Sequence, residues 1–395
     1  MRIGGSATMN RYLKASVFVV SAFVSASATA STEASAQGYP FERISCSDIH
    51  SCSVKSDGSV VCWGSNEKGQ APPHAPEGPF TQVTTGAYHS CGLRTDATVT
   101  CWGANEDQKG KAFFGQATPP KFKFTQIDAG SYFNCGIKTD GEVACWGDAR
   151  AAQTMAPKGK FTQVSAGYQH ACGVMTSGSV VCWGRNMSGE STAPQGHFKQ
   201  VSAGQTHSCG VLVDGKLVCW GGNTDGQAPP TVPGTFSQVS ASSIHTCGLR
   251  TDGTVTCWGA AEVFTKHYGH TDAPPGAFKE VSAAFATSCG IRENGKITCW
   301  GTNLGMNGVF YGQAMPPLDL AEPIPGKPDE RASAQASVPT PLPSANANSP
   351  LNLRGASVDA SGTATSGSGA KAIIWLLAGL VVVGGGYLLF RPRTA

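Results

Sequence analysis

Fourteen of the fifteen cysteines in this 395-residue chain form pairs ten positions apart. They are Cys52 with Cys62, Cys91 with Cys101, Cys135 with Cys145, and Cys172 with Cys182. Cys209 with Cys219, Cys247 with Cys257, and Cys289 with Cys299 complete the series. Each second cysteine is followed by Trp-Gly, and each first cysteine is preceded eleven positions earlier by a phenylalanine, from Phe41 to Phe278. The unit reads Phe-x-x-Val-Ser-Ala-Gly, His-x-Cys-Gly, Asp-Gly, Val-x-Cys-Trp-Gly, and it recurs every 37 to 44 residues. A period near 40 built from strand-like segments points to a propeller or a similar array.

The ten-residue separation also specifies a hairpin. In the sixth unit its midpoint falls on Asp252, so the loop holds an odd number of residues. A type I turn through Thr251 and Asp252, closed by a left-handed Gly253, meets that condition. Leu249 then faces Val255, and Cys247 faces Cys257 at a non-hydrogen-bonded pair, where Cα atoms approach closely enough for a disulfide. Ala97 takes the turn glycine's place in the second unit. Zinc is the other use of paired cysteines, but structural zinc ligands lie two to four residues apart and an exported chain favours disulfides. Alternation puts Gly248 and Trp258 on the face opposite the cysteines, and the glycine should make room for a bulky side chain from a neighbouring sheet. The expected architecture is all-β: a seven-bladed propeller over 37–320, with one intrablade disulfide per repeat.

Composition agrees. Glycine supplies 50 residues, and only 14% are charged, too few for a disordered chain and too glycine-rich for long helices. The net charge of +3 resides in the termini. Residues 37–370 hold 23 bases and 25 acids, a net of −2, so a nucleic-acid partner is not expected. Residues 1–36 read as a signal peptide, a short basic region followed by the apolar stretch from Ala15 to Ala26 and small-residue cleavage sites. Residues 321–370, rich in Pro, Ala and Ser, read as a disordered stalk. Residues 371–395 contain 19 uncharged residues, Ala372 to Phe390, followed by Arg391 and Arg393. They read as a single transmembrane helix with a basic cytoplasmic tail.

The motif Ser-Ala-Gly-x-x-His-x-Cys-Gly through Cys-Trp-Gly-x-Asn-x-x-Gly-Gln resembles the repeat of the regulator of chromosome condensation. It is equally similar to that repeat's secreted bacterial relatives, which include a β-lactamase-inhibitor protein. The resemblance spans residues 41–318 and implies seven blades of four strands each. Fold membership leaves the activity open.

Chemistry-bearing residues are sparse. Five units carry His two positions before the first cysteine: His50, His89, His170, His207 and His245, with Phe133 and Thr287 in the other two. Their fixed structural position favours a bridging role between blades over a metal ring, so neither metal nor cofactor is expected. The turn acids Asp57, Asp140, Asp214 and Asp252 are explained by the turns. No nucleophile elbow or phosphate loop stands out, so the chain reads as non-catalytic. Cys46 is the odd thiol, at the Ala position of the first Ser-Ala-Gly.

Two aromatic sets are the candidate partner-binding residues. Phe113, Phe114, Phe264, His267, Tyr268, His270, Phe310 and Tyr311 lie in the longer linkers of the second, sixth and seventh units, which are near neighbours in a closed ring. Tyr88, Tyr132, Phe133, Tyr168 and Phe285 precede the His-x-Cys motif, at the expected mouth of a central channel. Aromatics on loops over a rigid scaffold are common binding anchors. The functional expectation is an exported, membrane-anchored cell-surface module that binds an extracellular or envelope protein or polysaccharide. An enzyme inhibitor, an exchange-type regulator and a surface hydrolase or lyase are the alternatives, in that order.

Overall fold

The computed structural model describes residues 44–325, apart from 261, 264–265 and 306–308. The predicted signal peptide, most of the predicted stalk and the C-terminal apolar run lie outside the described residues. Seven three-stranded antiparallel sheets follow one another along the chain, each ordered first, second, third strand. In the fifth these are Phe198–Ala203, His207–Leu212 and Leu217–Gly221. A two-stranded ribbon, Glu262–Val263 with Lys266–His267, adds to the sixth linker.

Each hairpin keeps the register that the cysteine spacing demands. In the sixth blade Leu249 faces Val255 and Cys247 faces Cys257, Gly253 N–H closes the turn on Arg250 O, and Gly253 has φ +84°. All seven disulfides form, with Cα atoms 4.0–4.1 Å apart. In the second blade Ala97 adopts φ +68°, a region in which its Cβ crowds the following carbonyl. Replacing it should relieve about 1–2 kcal/mol, partly offset by glycine's extra chain entropy of about 0.5–1 kcal/mol. Ala97→Gly is therefore expected to raise the stability by about 0.5–1 kcal/mol, measured by denaturant unfolding. An unchanged or lower midpoint would contradict the turn geometry.

The blades differ from expectation in two ways. They have three strands where the resemblance implied four. The linkers run through Ala71-Pro72-Pro73, Ala228-Pro229-Pro230 and Ala273-Pro274-Pro275, and proline cannot donate to a ladder. Among the described residues the outer edge keeps isolated bridges, such as Leu217 with Val232 and, in parallel, Ile297 with Ala321. The glycine opposite the cysteines also serves its own blade. A Cβ on Gly248 would lie 2.7 Å from the ring of Phe236, which comes from the first strand of the same sheet.

That ring then faces the neighbouring blade. Cys209, Val211 and Leu217 of the fifth blade pack on Phe236 and Val239 of the sixth, beside Trp258. Cys247 and Leu249 pack on Phe278, Val281 and Trp300 of the seventh. The last interface closes the circle, with Cys289, Ile291 and Ile297 against Ile44, Cys46 and Trp63. Each sheet thus buries both faces, as radial packing requires.

Hydrogen bonds repeat the closure. Ala203 N–H donates to Ser165 Oγ, Ala241 N–H to Ser202 Oγ, and Ala283 N–H to Ser240 Oγ. Cys46 N–H donates to Ser282 Oγ at 3.0 Å, joining the seventh blade to the first. A glutamine on the first strand doubles the link: Gln200 Nε2 donates to Val239 O, and its Oε1 accepts from Val239 N–H. Pairing one side chain with both backbone groups satisfies donors and acceptors that the curved ring would otherwise bury unmade.

The histidines belong to the same scheme. His207 Nε2 meets Thr246 Oγ1 of the next blade at 2.8 Å, and Thr246 Oγ1 donates to Gln227 O, which also accepts from Trp258 Nε1. His50, His89, His170 and His245 make the equivalent contact with Ser90, Asn134, Ser208 and Ser288. The bridge between blades that their fixed position implied is made, and in each case its partner is a side chain of the next blade. Where Phe133 replaces the histidine, the facing residue is Ala171, so both halves of the polar pair are absent together. Cys46 is buried on the first strand of the first blade.

Candidate binding rim

The two ends of the propeller differ in chemistry. At one end lie the hairpin turns, where Lys138 pairs with Asp140 and Glu142, Lys216 with Asp214, and Lys279 with Glu293. Lys123 also pairs there with Asp96. The other end carries the loops between first and second strands and the start of each linker, because His207 pairs with Gly221 at that end of the sheet.

Glycine draws those loops into a hoop. A Cβ on Gly167 would lie 2.3 Å from Gly204 O, so only glycine permits the close approach. Ala87 N–H then donates to Ser131 O, Ser131 N–H to Gly167 O, and Tyr168 N–H to Gly204 O. Inside the hoop is a shallow cavity of about 100 Å³, the channel mouth, lined by small residues from all seven blades together with Asp48, Tyr168 and Gln205. Beside it opens a second cavity of about 180 Å³, lined by Tyr88, Tyr132, Tyr168, Tyr311, Gln108 and Asp48 among others.

The tyrosines are half-buried and held from behind. Tyr88 and Tyr132 stack with centroids 6.1 Å apart, and Phe114 sets its edge on Tyr132 at 5.7 Å. Arg150 caps Phe114 at 4.5 Å while its guanidinium forks onto Asp148. Gln108 bonds both hydroxyls, by its side chain to Tyr88 and by its backbone to Tyr132. Burial, then neighbouring acidic groups and hydroxyls, raises both phenols above their ordinary value. Burial also pushes the Asp48 carboxyl up to about 6, opposed by the N–H of Phe285.

Two matching hairpins flank this cavity. Glu106 bridges Phe113, and Leu304 bridges Phe310. Phe114 N–H donates to Asn105 O and Tyr311 N–H to Asn303 O, so the two loops share one construction. Phe113 is 75% exposed and Phe310 45%.

The structure thus merges parts of the two predicted aromatic sets and separates the rest. Tyr88, Tyr132, Tyr168 and Tyr311 share the cavity, with Phe113, Phe114 and Phe310 around it. Phe133 is fully buried in a blade interface. Phe285 is buried with Ile244, Ala286 and Tyr268. His270 is fully buried, bonded through Nε2 to Ala260 O, and His267 sits at the surface against Asp272. Phe264 lies outside the described residues. Asp48 and Gln108 were missed, although Asp48 is visible in sequence as the acid at the first position after the Ser-Ala-Gly equivalent in the first repeat. Among the described residues no group of three His, Cys, Asp or Glu side chains could hold a metal ion.

Comparison with known proteins places this geometry. The regulator of chromosome condensation (RCC1) repeat matches residues 41–70, 80–108, 124–153, 161–190, 198–227 and 236–261. The fold is similar to the ectodomain of the Physcomitrella patens receptor kinase CR4, at 25% identity and TM-score 0.56, over 66% of this chain and 72% of that one. It is similar to the CRINKLY WD40 ectodomain of the Arabidopsis thaliana receptor kinase ACR4, at 24% identity and TM-score 0.53, over 66% and 96%. Prp20p from Saccharomyces cerevisiae, a protein with binding properties to Gsp1p and histones, aligns at 18% identity and TM-score 0.50, over 62% and 81%. No curated protein sequence matches the chain.

Proposed function

Since the chain belongs to the RCC1-repeat family, we propose that it is a non-catalytic, exported binding module that engages a protein partner through the tyrosine-bearing rim. The observation that carries this reading is the tyrosine cavity itself: four tyrosines from four blades around about 180 Å³, with the exposed Phe113 and Phe310 on the two hairpins that flank it. Clustered aromatics on a rigid frame bind at low entropic cost. The non-catalytic reading draws support from the histidines, five of which are spent on bonds between blades.

Seven disulfides suit an oxidising compartment. In this account residues 1–36 direct export, residues 321–370 hold the propeller away from the bilayer, and residues 371–395 anchor it. The partner is an extracellular or envelope protein, with a polysaccharide as the other class to be tested.

The test is capture from envelope and extracellular fractions by the detergent-solubilised full chain, with material digested by protease or by glycosidases as parallel arms. Tyr132→Ala with Tyr311→Ala should weaken capture by about thirtyfold or more, as loss of one interface hot spot of about 2 kcal/mol would. Lys216→Ala with Asp214→Ala, at the opposite end, should leave it unchanged. Loss of capture in the second variant alone would place the site at the wrong end.

A further inference from the structure

The tyrosine cavity has a chemical character that names what would enter it. Its walls are phenol rings, and Asp48 at its border with the channel mouth is its carboxylate. The charge of Glu67 also reaches Tyr88, and that of Asp107 reaches Tyr132. Asp48 takes a backbone N–H from Phe285 across the ring closure, and no cation of the described residues acts on its carboxyl. Arg150, the base behind the cavity, is spent on Asp148 and on the face of Phe114. Gln108 bonds the hydroxyl of Tyr88 through its side chain and that of Tyr132 through its backbone. The cavity therefore offers ring faces and a carboxylate, an environment for positive charge.

The same chain uses this pairing internally. Arg292 lies 4.0 Å from the centroid of Phe278, Arg94 4.8 Å from that of Phe80, and Arg250 5.1 Å from that of Phe236. Attraction between a cation and an aromatic face strengthens on desolvation, and a facing carboxylate adds to it. A volume of about 180 Å³ admits one side chain, while Phe113 and Phe310 stand ready for the apolar residues on either side of it.

We propose that the Tyr88–Tyr132–Tyr168–Tyr311 cavity receives a basic side chain, lysine or arginine, from the partner protein, with the carboxylate of Asp48 as its counter-charge. The inference rests on the tyrosine rim being the binding face.

Titration of the full chain with Nα-acetyl-lysine methylamide, followed by the tyrosine ring signals in NMR, tests the pocket without knowledge of the partner. The neutral isostere Nα-acetyl-norleucine methylamide is the control. The lysine probe should bind at least about tenfold more tightly than the isostere. Asp48→Asn should abolish that preference while leaving thermal unfolding at neutral pH close to the parent's. Equal binding of the two probes, binding of neither, or a preference untouched by Asp48→Asn would overturn the proposal. Equal probe binding with capture still lost in Tyr132→Ala, Tyr311→Ala would remove the cation and leave the rim. A lysine preference without any captured protein would do the reverse, removing the protein-binding role and keeping the cation pocket.

Discussion

Refolding under reducing conditions is expected to yield no folded propeller. Each bridge ties residues ten apart and contributes about 3 kcal/mol through the entropy of the unfolded chain. Seven such contributions, about 20 kcal/mol, exceed the whole stability of an ordinary domain, about 5–15 kcal/mol. The linkers and proline-rich edges provide little compensation, since each blade has only three strands. Reduction of the native protein should be slow, because the second-strand cysteines Cys52, Cys91, Cys135, Cys172, Cys209, Cys247 and Cys289 are fully buried. Circular dichroism and intrinsic tryptophan fluorescence after refolding with and without thiol would measure the effect. One pair alone, Cys247→Ala with Cys257→Ala, should cost about 2–4 kcal/mol. A reduced chain that unfolds cooperatively near the temperature of the oxidised one would refute this account of its stability.

Acid should destabilise the ring well above the pH at which carboxylates usually titrate. Burial, the largest influence on each, pushes His50, His207 and His245 down to about 3, and His89 and His170 to about 4. In the unfolded chain these groups titrate near 6.5. Between those values the unfolded state binds more protons, so the stability is fully present above about pH 6.5 and falls as pH drops towards 4. At pH 5 each histidine removes about 2 kcal/mol, and the five together about 10 kcal/mol.

Two groups act in the opposite direction. Burial raises Asp48 and Asp128 to about 6, so each takes up a proton in the folded state as pH falls from 7 to 5. That returns about 1 kcal/mol apiece, too little to reverse the sign. The net loss from pH 7 to pH 5 is on the order of 5–10 kcal/mol. The interface of Phe133 with Ala171 supplies a control drawn from the protein itself. His207→Phe with Thr246→Ala copies it, and should reduce the slope of stability against pH by about 1.4 kcal/mol per unit between pH 4 and 6. A slope equal to the parent's would show that the histidines do not govern it.

Much of this fold was legible in spacing. The interval from Cys247 to Cys257 dictated the turn, the register and the disulfide, because a three-residue loop leaves no alternative pairing at that distance. Blade width was less legible, since a fourth strand depends on whether a proline-bearing linker can join a ladder. Gly248 shows a different limit. Alternation correctly put it opposite the cysteines, but only the path of the first strand reveals that Phe236 of the same blade fills the space. The site was half visible. Tyr88, Tyr132, Tyr168 and Tyr311 could be named from their loops, yet Phe285, at the position of Tyr168 in its repeat, is buried, and Phe133 takes the buried histidine position at the start of its strand. Sequence position assigns the loop, whereas the rotamer and the neighbouring blade assign the face. Asp48 has no periodic signal in the sequence, and its meaning comes from standing beside tyrosines of four other repeats.

The central claim, that the tyrosine-bearing end is the binding face, is tested most directly by hydrogen exchange of the full chain with and without its captured partner. Amides of 105–116 and 303–313, together with the loops holding Tyr132 and Tyr168, should exchange more slowly in the complex. The hairpin turns at 139–141, 213–215 and 251–253 should exchange as in the unbound protein. Protection confined to those turns, or to the outer edges of the blades, would contradict the account.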